Sequence, residues 1–203
     1  MDLPDDLVLP LERGAPWWYW LAGRPALDFV NTLRERWWRN VETLVTAEDL
    51  AAWLTEANLL AEAPAVDEAL LVAARELREA ISLATDAVID RSGPRARELR
   101  VIEAWLPAAR LDEHLVAPAA GSAPVFRATV PEDAGRFALG LLARDAAQML
   151  GTEQRERLRI CAAETCSARF YDRSRGARRR WCSMQGCGNV AKARRHRARQ
   201  SDL

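Results

Sequence analysis

The chain is constrained most by where its sulfur lies. All four of its cysteines fall in one stretch, CAAETCSARFYDRSRGARRRWCSMQGC, at positions 161, 166, 182 and 187 of 203 residues. The pattern is C-x4-C, a fifteen-residue insert, then a second C-x4-C. Two short pairs separated by a hairpin-length insert suit one tetrahedral thiolate site. Each pair folds back so that its sulfurs converge, and the insert carries the chain to the far side of the ion. Cys161, Cys166, Cys182 and Cys187 are therefore the expected ligands of a closed, structural Zn2+, which would contribute folding energy to a segment with little apolar substance of its own.

Three other uses of the cysteines compete. Two disulfides suit short secreted chains, whereas more than 150 cysteine-free residues precede this cluster and no signal peptide is evident. Ordinary buried cysteines would be scattered rather than paired. Iron–sulfur ligands are usually more tightly spaced and lack such a basic surround. No C-x-x-C occurs, which argues against a redox centre.

Net charge is zero, but the balance is uneven. Residues 1–160 hold 18 basic and 26 acidic residues, a net of −8, whereas residues 161–200 hold 11 basic and 2 acidic, a net of +9. Such asymmetry points to a polyanionic partner for the basic end. A single lysine, Lys192, stands among the arginines, so clustering rather than the choice of arginine carries the information. A hydrophobic content of 49% without a long uncharged apolar run predicts a globular, cytoplasmic protein with no membrane role. The acidic start, Met1 to Pro10, resembles neither a signal nor a transit peptide.

The order of patterns predicts a mainly helical α+β fold: a helical body over 1–155 with one small β-hairpin, and a metal module over 156–203 built of knuckles, hairpin and helix. Five of the eight tryptophans lie between Trp17 and Trp38. Clustered rings favour an aromatic core seam, with an effector pocket at Trp17, Trp20, Phe29 and Asn31 as the alternative. Thr46 and Asp49 form a capping-box pattern ahead of Leu50, Trp53 and Leu54. Residues 66–90 place Leu70, Ala73, Leu77, Ile81, Ala84 and Val88 on one helical stripe. Pro94 suits the start of a shorter helix marked by Leu99, Ile102 and Leu106, which Pro107 should end. Leu111–Val116 and Pro124–Val130 read as a hairpin. Pro131-Glu132-Asp133 then opens a helix whose face holds Ala138, Leu142, Ala146 and Met149, and Gly151 closes it. Residues 152–160 contain no flexible linker, which predicts that body and module pack together.

Inside the module, Arg169–Asp172 and Arg178–Trp181 read as the two strands, Arg173–Gly176 as the turn with glycine supplying its backbone freedom, and Phe170 and Trp181 as the cover of the metal. Asn189 is placed to cap a final helix, VAKARRHRARQ. The residues available to phosphate are Arg175, Arg178, Arg179, Arg180, Lys192, Arg194, Arg195, Arg197 and Arg199. DNA is the expected partner. RNA is the alternative, with Phe170, Tyr171 and Trp181 stacking bases if exposed. Phosphate-loop, dinucleotide and nucleophile-elbow motifs are absent, and the two histidines, His114 and His196, stand in no nucleophile–base pattern, so no enzymatic role is expected.

These motifs carry a resemblance. RRWCSMQGCGN followed by AKARRHRAR resembles the CGNR zinc-finger family, and LDFVNTL at 27–33 with TAEDLAAWL at 46–54 resembles the ABATE-type domain that precedes that finger. The resemblance implies a bacterial, stress-induced transcription regulator with a zinc-binding and DNA-binding tail, its metal ligands falling on Cys161, Cys166, Cys182 and Cys187. One position departs from the naming motif: Val190 stands where an arginine is expected. Two other classes compete with this reading. One is a zinc-stabilised protein-interaction module that pairs with acidic surfaces or a second copy. The other is a small-molecule enzyme or carrier using the tryptophan-rich region. A homodimer and a small-molecule effector are compatible with the regulator.

Overall fold

The computed structural model describes residues 18–117 and 119–201, with the side chains of 195, 196, 198, 199 and 201 outside that description. The acidic start and Trp17 therefore lie outside the described residues. The elements in order are α1 (Pro25–Val30), β1 (Leu33–Arg34), β2 (Val41–Glu42), α2 (Ala47–Glu56), α3 (Glu68–Ile89) and α4 (Ala96–Trp105). A 3-10 turn (Leu106–Ala109), β3 (Asp112–Val116), β4 (Val125–Thr129), α5 (Ala134–Gly151) and a second 3-10 turn (Glu153–Arg157) follow. The module comprises β5 (Leu158–Ile160), β6 (Arg169–Tyr171), a π turn (Met184–Gly188) and α6 (Asn189–Ser201). The strands make three separate antiparallel pairs, β1–β2, β3–β4 and β5–β6. The fold is thus mainly α with small hairpins, as the patterns predict.

α2 starts where its capping box requires. Thr46 Oγ1 accepts from Asp49 N–H at 3.2 Å, and the Asp49 carboxylate accepts from Thr46 N–H at 2.8 Å. Leu50, Trp53 and Leu54 are buried. α3 is capped by Asp67 and spans the body, but its inward face is turned relative to the expected stripe. Leu77, Ile81 and Ala84 are buried as expected, together with Leu71, Ala74, Arg78, Ser82 and Thr85, while Leu70, Ala73 and Val88 sit at the margin. The displacement has a cause that hydropathy cannot register. Arg78 is 2% exposed and its guanidinium grips both oxygens of Glu42, at 2.7 and 2.6 Å. A paired charge lies where periodicity seeks an aliphatic.

α4 also differs from expectation. It begins at Ala96 after Arg95, so Pro94 precedes the helix, and it buries Ile102 and Trp105 while Leu99 is exposed. The α-helix ends at Trp105, just ahead of Pro107 as expected, and the chain continues into the 3-10 turn. That turn lies against α5 at Gly140, where a Cβ would stand 2.5 Å from Ala109 N. Only glycine lets the two backbones approach so closely. α5 starts at Ala134, capped by Asp133, three residues past Pro131, and buries Ala138, Leu142, Ala146 and Met149 as expected.

The core runs unbroken from α1–α5 into the module, ending on Leu158, Phe170, Cys161 and Cys182. The largest sealed side chains include Trp53, Phe29 and Phe170, each contributing about 1.5–3 kcal/mol by burial. The aromatic seam is narrower than expected: Trp18 is buried, but Trp20, Trp37 and Trp38 are exposed. The β3–β4 hairpin forms in the expected place, with every residue of its two strands exposed.

Candidate metal centre and the module around it

The four cysteine sulfurs lie within 4.8 Å of one another. Cys182 Sγ is 3.8 Å from Cys166 Sγ and 3.7 Å from Cys187 Sγ. A tetrahedral thiolate site with metal–sulfur bonds of ~2.3 Å places its sulfurs about 3.8 Å apart. Disulfides need about 2.05 Å, and all four thiols are free. The residues therefore fit one mononuclear metal ion. Hydrogen bonds from Cys166, Cys182 and Cys187 hold the Cys161 thiol far below its ordinary range, and contact with Cys161 pushes Cys166 and Cys182 up. A divalent ion would let all four ionise.

Local backbone bonds form each knuckle. Cys161 N–H donates to Ala168 O at 2.9 Å and Cys166 N–H to Ala163 O at 3.1 Å. In the second knuckle Ser183 Oγ accepts from Gly186 N–H at 3.1 Å. Ala162 N–H donates to Arg180 O at 2.8 Å and ties the two together.

Three expectations within the module are corrected. First, β6 pairs with β5, in the register Leu158↔Tyr171, Arg159↔Phe170, Ile160↔Arg169, and residues 178–181 form no strand. The first knuckle is thus the connection of the hairpin, not a preface to it. Second, the left-handed backbone of the turn falls on Ala177, at φ 45, not on Gly176. Gly176 instead makes room, since a Cβ there would meet Arg178 Nε at 3.1 Å. Third, the cap ahead of α6 is Ser183, through the π turn, while Asn189 donates from Nδ2 to Gln185 O.

Body and module are joined mainly through main-chain groups. Asn31 Nδ2 donates to Arg169 O at 2.9 Å, and Asn31 Oδ1 accepts from Arg169 N–H at 2.9 Å. The amide thus stands in for a neighbouring strand along β6. Tyr171 N–H donates to Ala22 O at 2.7 Å, Arg36 N–H donates to Ser167 Oγ at 3.0 Å, and the Arg173 guanidinium donates to Gly23 O. Arg169 is 4% exposed and forks onto Asp86 of α3, with Nε donating to Oδ1 at 2.9 Å, while its guanidinium carbon lies 5.4 Å from the Trp37 ring centre. Asp28 lies beneath this joint. Burial pushes its carboxyl up to about 6, against the opposing hydrogen bonds from Ala22 and Leu21 N–H and the charge of Arg173. The linker-free approach predicted packed parts, and the joint meets that expectation.

Among the residues expected to meet phosphate, Arg175, Arg178, Arg180, Lys192, Arg194 and Arg197 are exposed or half-exposed. Arg194 donates to Glu164 of the first knuckle at 2.8 Å. Arg179 is turned inward: Nη2 donates to Cys182 O at 2.6 Å, its N–H donates to Asp172 Oδ2 at 2.7 Å, and its guanidinium carbon lies 4.9 Å from the Phe170 ring centre. The side chains of Arg195 and Arg199 lie outside the described residues. Val190, where an arginine is expected, is 50% exposed. Phe170 is sealed and cannot stack a base, whereas Tyr171 and Trp181 are half-buried.

The residues considered for an effector pocket are placed differently. Phe29 is sealed in the core, 5.2 Å from the Trp53 ring centre, and Trp20 leans on the same ring at 5.6 Å. Asn31 is fully engaged with β6. Sequence reasoning misses Arg169 and Asp86 as a joint. An arginine one residue before a buried aromatic, within an otherwise solvated basic run, is the available signal.

The same stretches are the ones that known families share. No curated protein matches the chain. The CGNR zinc finger matches residues 157–200, the stretch that brings the four sulfurs together. The domain described as "Putative stress-induced transcription regulator" matches residues 23–153, the helical body and the hairpin it carries. The chain therefore belongs to the ABATE family, with a CGNR zinc finger as its C-terminal module.

Proposed function

We propose that this protein is a DNA-binding transcription regulator of the bacterial cytoplasm, induced under stress, whose finger is held by structural Zn2+. The observation that carries this reading is the coincidence of a four-sulfur cluster with exposed basic residues on either side of its second knuckle: Arg175 on the turn, Arg178 and Arg180 after it, Lys192, Arg194 and Arg197 on α6. Four thiolates on one ion leave no open coordination position, so the metal shapes and does not react. The chain performs no catalysis in this reading. The guanidinium groups and ammonium meet DNA phosphates and release counterions.

The helical body supplies self-association and effector sensing. In support, the β3–β4 hairpin turns Leu115, 72% exposed, and its cross-strand partner Phe126, 64% exposed, to solvent. A groove of about 690 Å3 between the starts of α3 and α5, lined by Val66, Leu70, Ala73, Glu132 and Arg136 among others, offers an effector space. Titration of labelled duplex DNA by fluorescence anisotropy tests the main reading. Binding should weaken steeply as salt rises, with a log–log slope of about −0.9 per phosphate contacted. Absence of binding at low salt ends it.

A further inference from the structure

Between the turn and the second knuckle lies a cavity of about 310 Å3, lined by Ser174, Arg178, Arg179, Arg180, Trp181 and Met184. Its position in the fold gives it a definite shape. Arg179 forms a fixed wall, donating to Cys182 O at 2.6 Å and to Trp181 O at 3.4 Å. Asp172 holds the turn opposite, accepting from Ser174 N–H at 2.9 Å and Arg179 N–H at 2.7 Å. The knuckle that holds Cys182 thus also holds the cavity.

Its chemistry is of two kinds. Trp181 and Met184 give an apolar, polarisable surface. Arg178 and Arg180 also line it, and the Arg180 guanidinium carbon lies over the Trp181 ring, 5.3 Å from its centre. Among the described residues no carboxylate lines it. A ligand matching both must carry a flat ring and an anion a few ångströms apart. The volume stands at the small end of ligand sites. A nucleotide has this form, but a base in duplex has both faces stacked, and only an unpaired base offers one to an indole.

We infer that this cavity holds an unpaired base of single-stranded DNA, which takes the place of the Arg180 guanidinium over Trp181 and sets its phosphate on Arg178 or the displaced Arg180. The inference rests on the DNA-binding reading and narrows it. The finger does more than follow a backbone; it prefers strands that have opened.

The test uses the full-length, zinc-loaded protein and three labelled probes of equal length: a duplex, one of its strands, and an all-abasic strand that keeps the phosphates without bases. At fixed moderate salt the natural strand should bind about tenfold or more tightly than the abasic strand, and more tightly than the duplex, since one stacked base contributes that much or more. Trp181→Leu should lose that margin on the natural strand and leave duplex binding within about twofold, while Trp181→Phe restores part of it. Equal binding of natural and abasic strands overturns the cavity assignment and leaves phosphate binding standing. Binding to none of the three overturns both. The abasic comparison needs no variant, so it decides between these outcomes even if a Trp181 substitution fails to hold metal.

Discussion

Two hairpins in this molecule invite comparison. β3–β4 has the longer ladder, five residue pairs, and β5–β6 has three. Ladder length does not decide which is better held. Every residue of β3–β4 is exposed, whereas in β5–β6 Leu158, Arg169 and Phe170 are buried, Asn31 lies along one edge, and the connecting loop carries two of the four clustered cysteines. An isolated two-stranded hairpin is marginal in water. The difference shows that a hairpin's stability comes from what its faces and edges touch. It also divides their roles: the held hairpin presents a shaped surface, and the unheld one presents apolar side chains.

The comparison breaks most visibly when the metal is removed. Chelation, or Cys161→Ser, should unfold β5–β6 and its knuckles, with a loss on the order of 10 kcal/mol of metal-linked folding energy. Hydrogen exchange at 158–160 and 169–171 should then rise to the level of a free chain, while β3–β4 stays as it was. Persisting protection in the metal-free protein would mean that the body alone holds the finger.

Next in size is the joint. Arg169→Ala leaves Asp86 without its partner and opens the contact with Trp37, and should cost about 3 kcal/mol. Urea unfolding of the zinc-loaded protein measures it. Arg127→Ala, the control on the exposed hairpin, should stay within about 0.5 kcal/mol.

A third effect comes from the seat of the finger. The carboxyl of Asp28 is raised from 3.8 to about 6 by burial. The folded protein therefore holds this proton more tightly than the unfolded chain. Its stabilising contribution is complete below about pH 4 and is lost as pH rises through about 6. Urea midpoints at constant zinc should fall between about pH 5 and pH 7 by about 1–2 kcal/mol on this account, and Asp28→Asn should flatten that slope.

The smallest change in folding belongs to the exposed hairpin. Phe126→Ser should alter monomer stability by less than about 0.5 kcal/mol. In sedimentation velocity the same substitution should shift any dimer toward monomer. A large loss of folding stability would show that the hairpin has an intramolecular partner after all.

Much of this arrangement is legible in the chain. The cysteine spacing points to one ion rather than two bridges, because pairs that short bring sulfurs to a common centre. Thr46 and Asp49 mark a helix start because their reciprocal bonds are local, and the β3–β4 hairpin follows from strand-forming residues between breakers. What stays hidden depends on partners distant in sequence. The pairing of β5 with β6 cannot be read, since Arg159 and Arg169 look like solvated charges until Asp86, far upstream, accounts for one of them. The phase of α3 escapes hydropathy because Arg78, Ser82 and Thr85 are inward-facing polar residues. Asn31 resembles a pocket residue, and its amide is instead a piece of strand edge.

That amide has a consequence for how such proteins can diversify. Asn31 recognises only peptide groups of position 169, so it is indifferent to the residues displayed further along. The stretch from Arg175 to Trp181 can drift in response to a new target while the attachment to the body stays unaltered. Chains that differ in this stretch can therefore descend from one ancestor without re-fitting their halves.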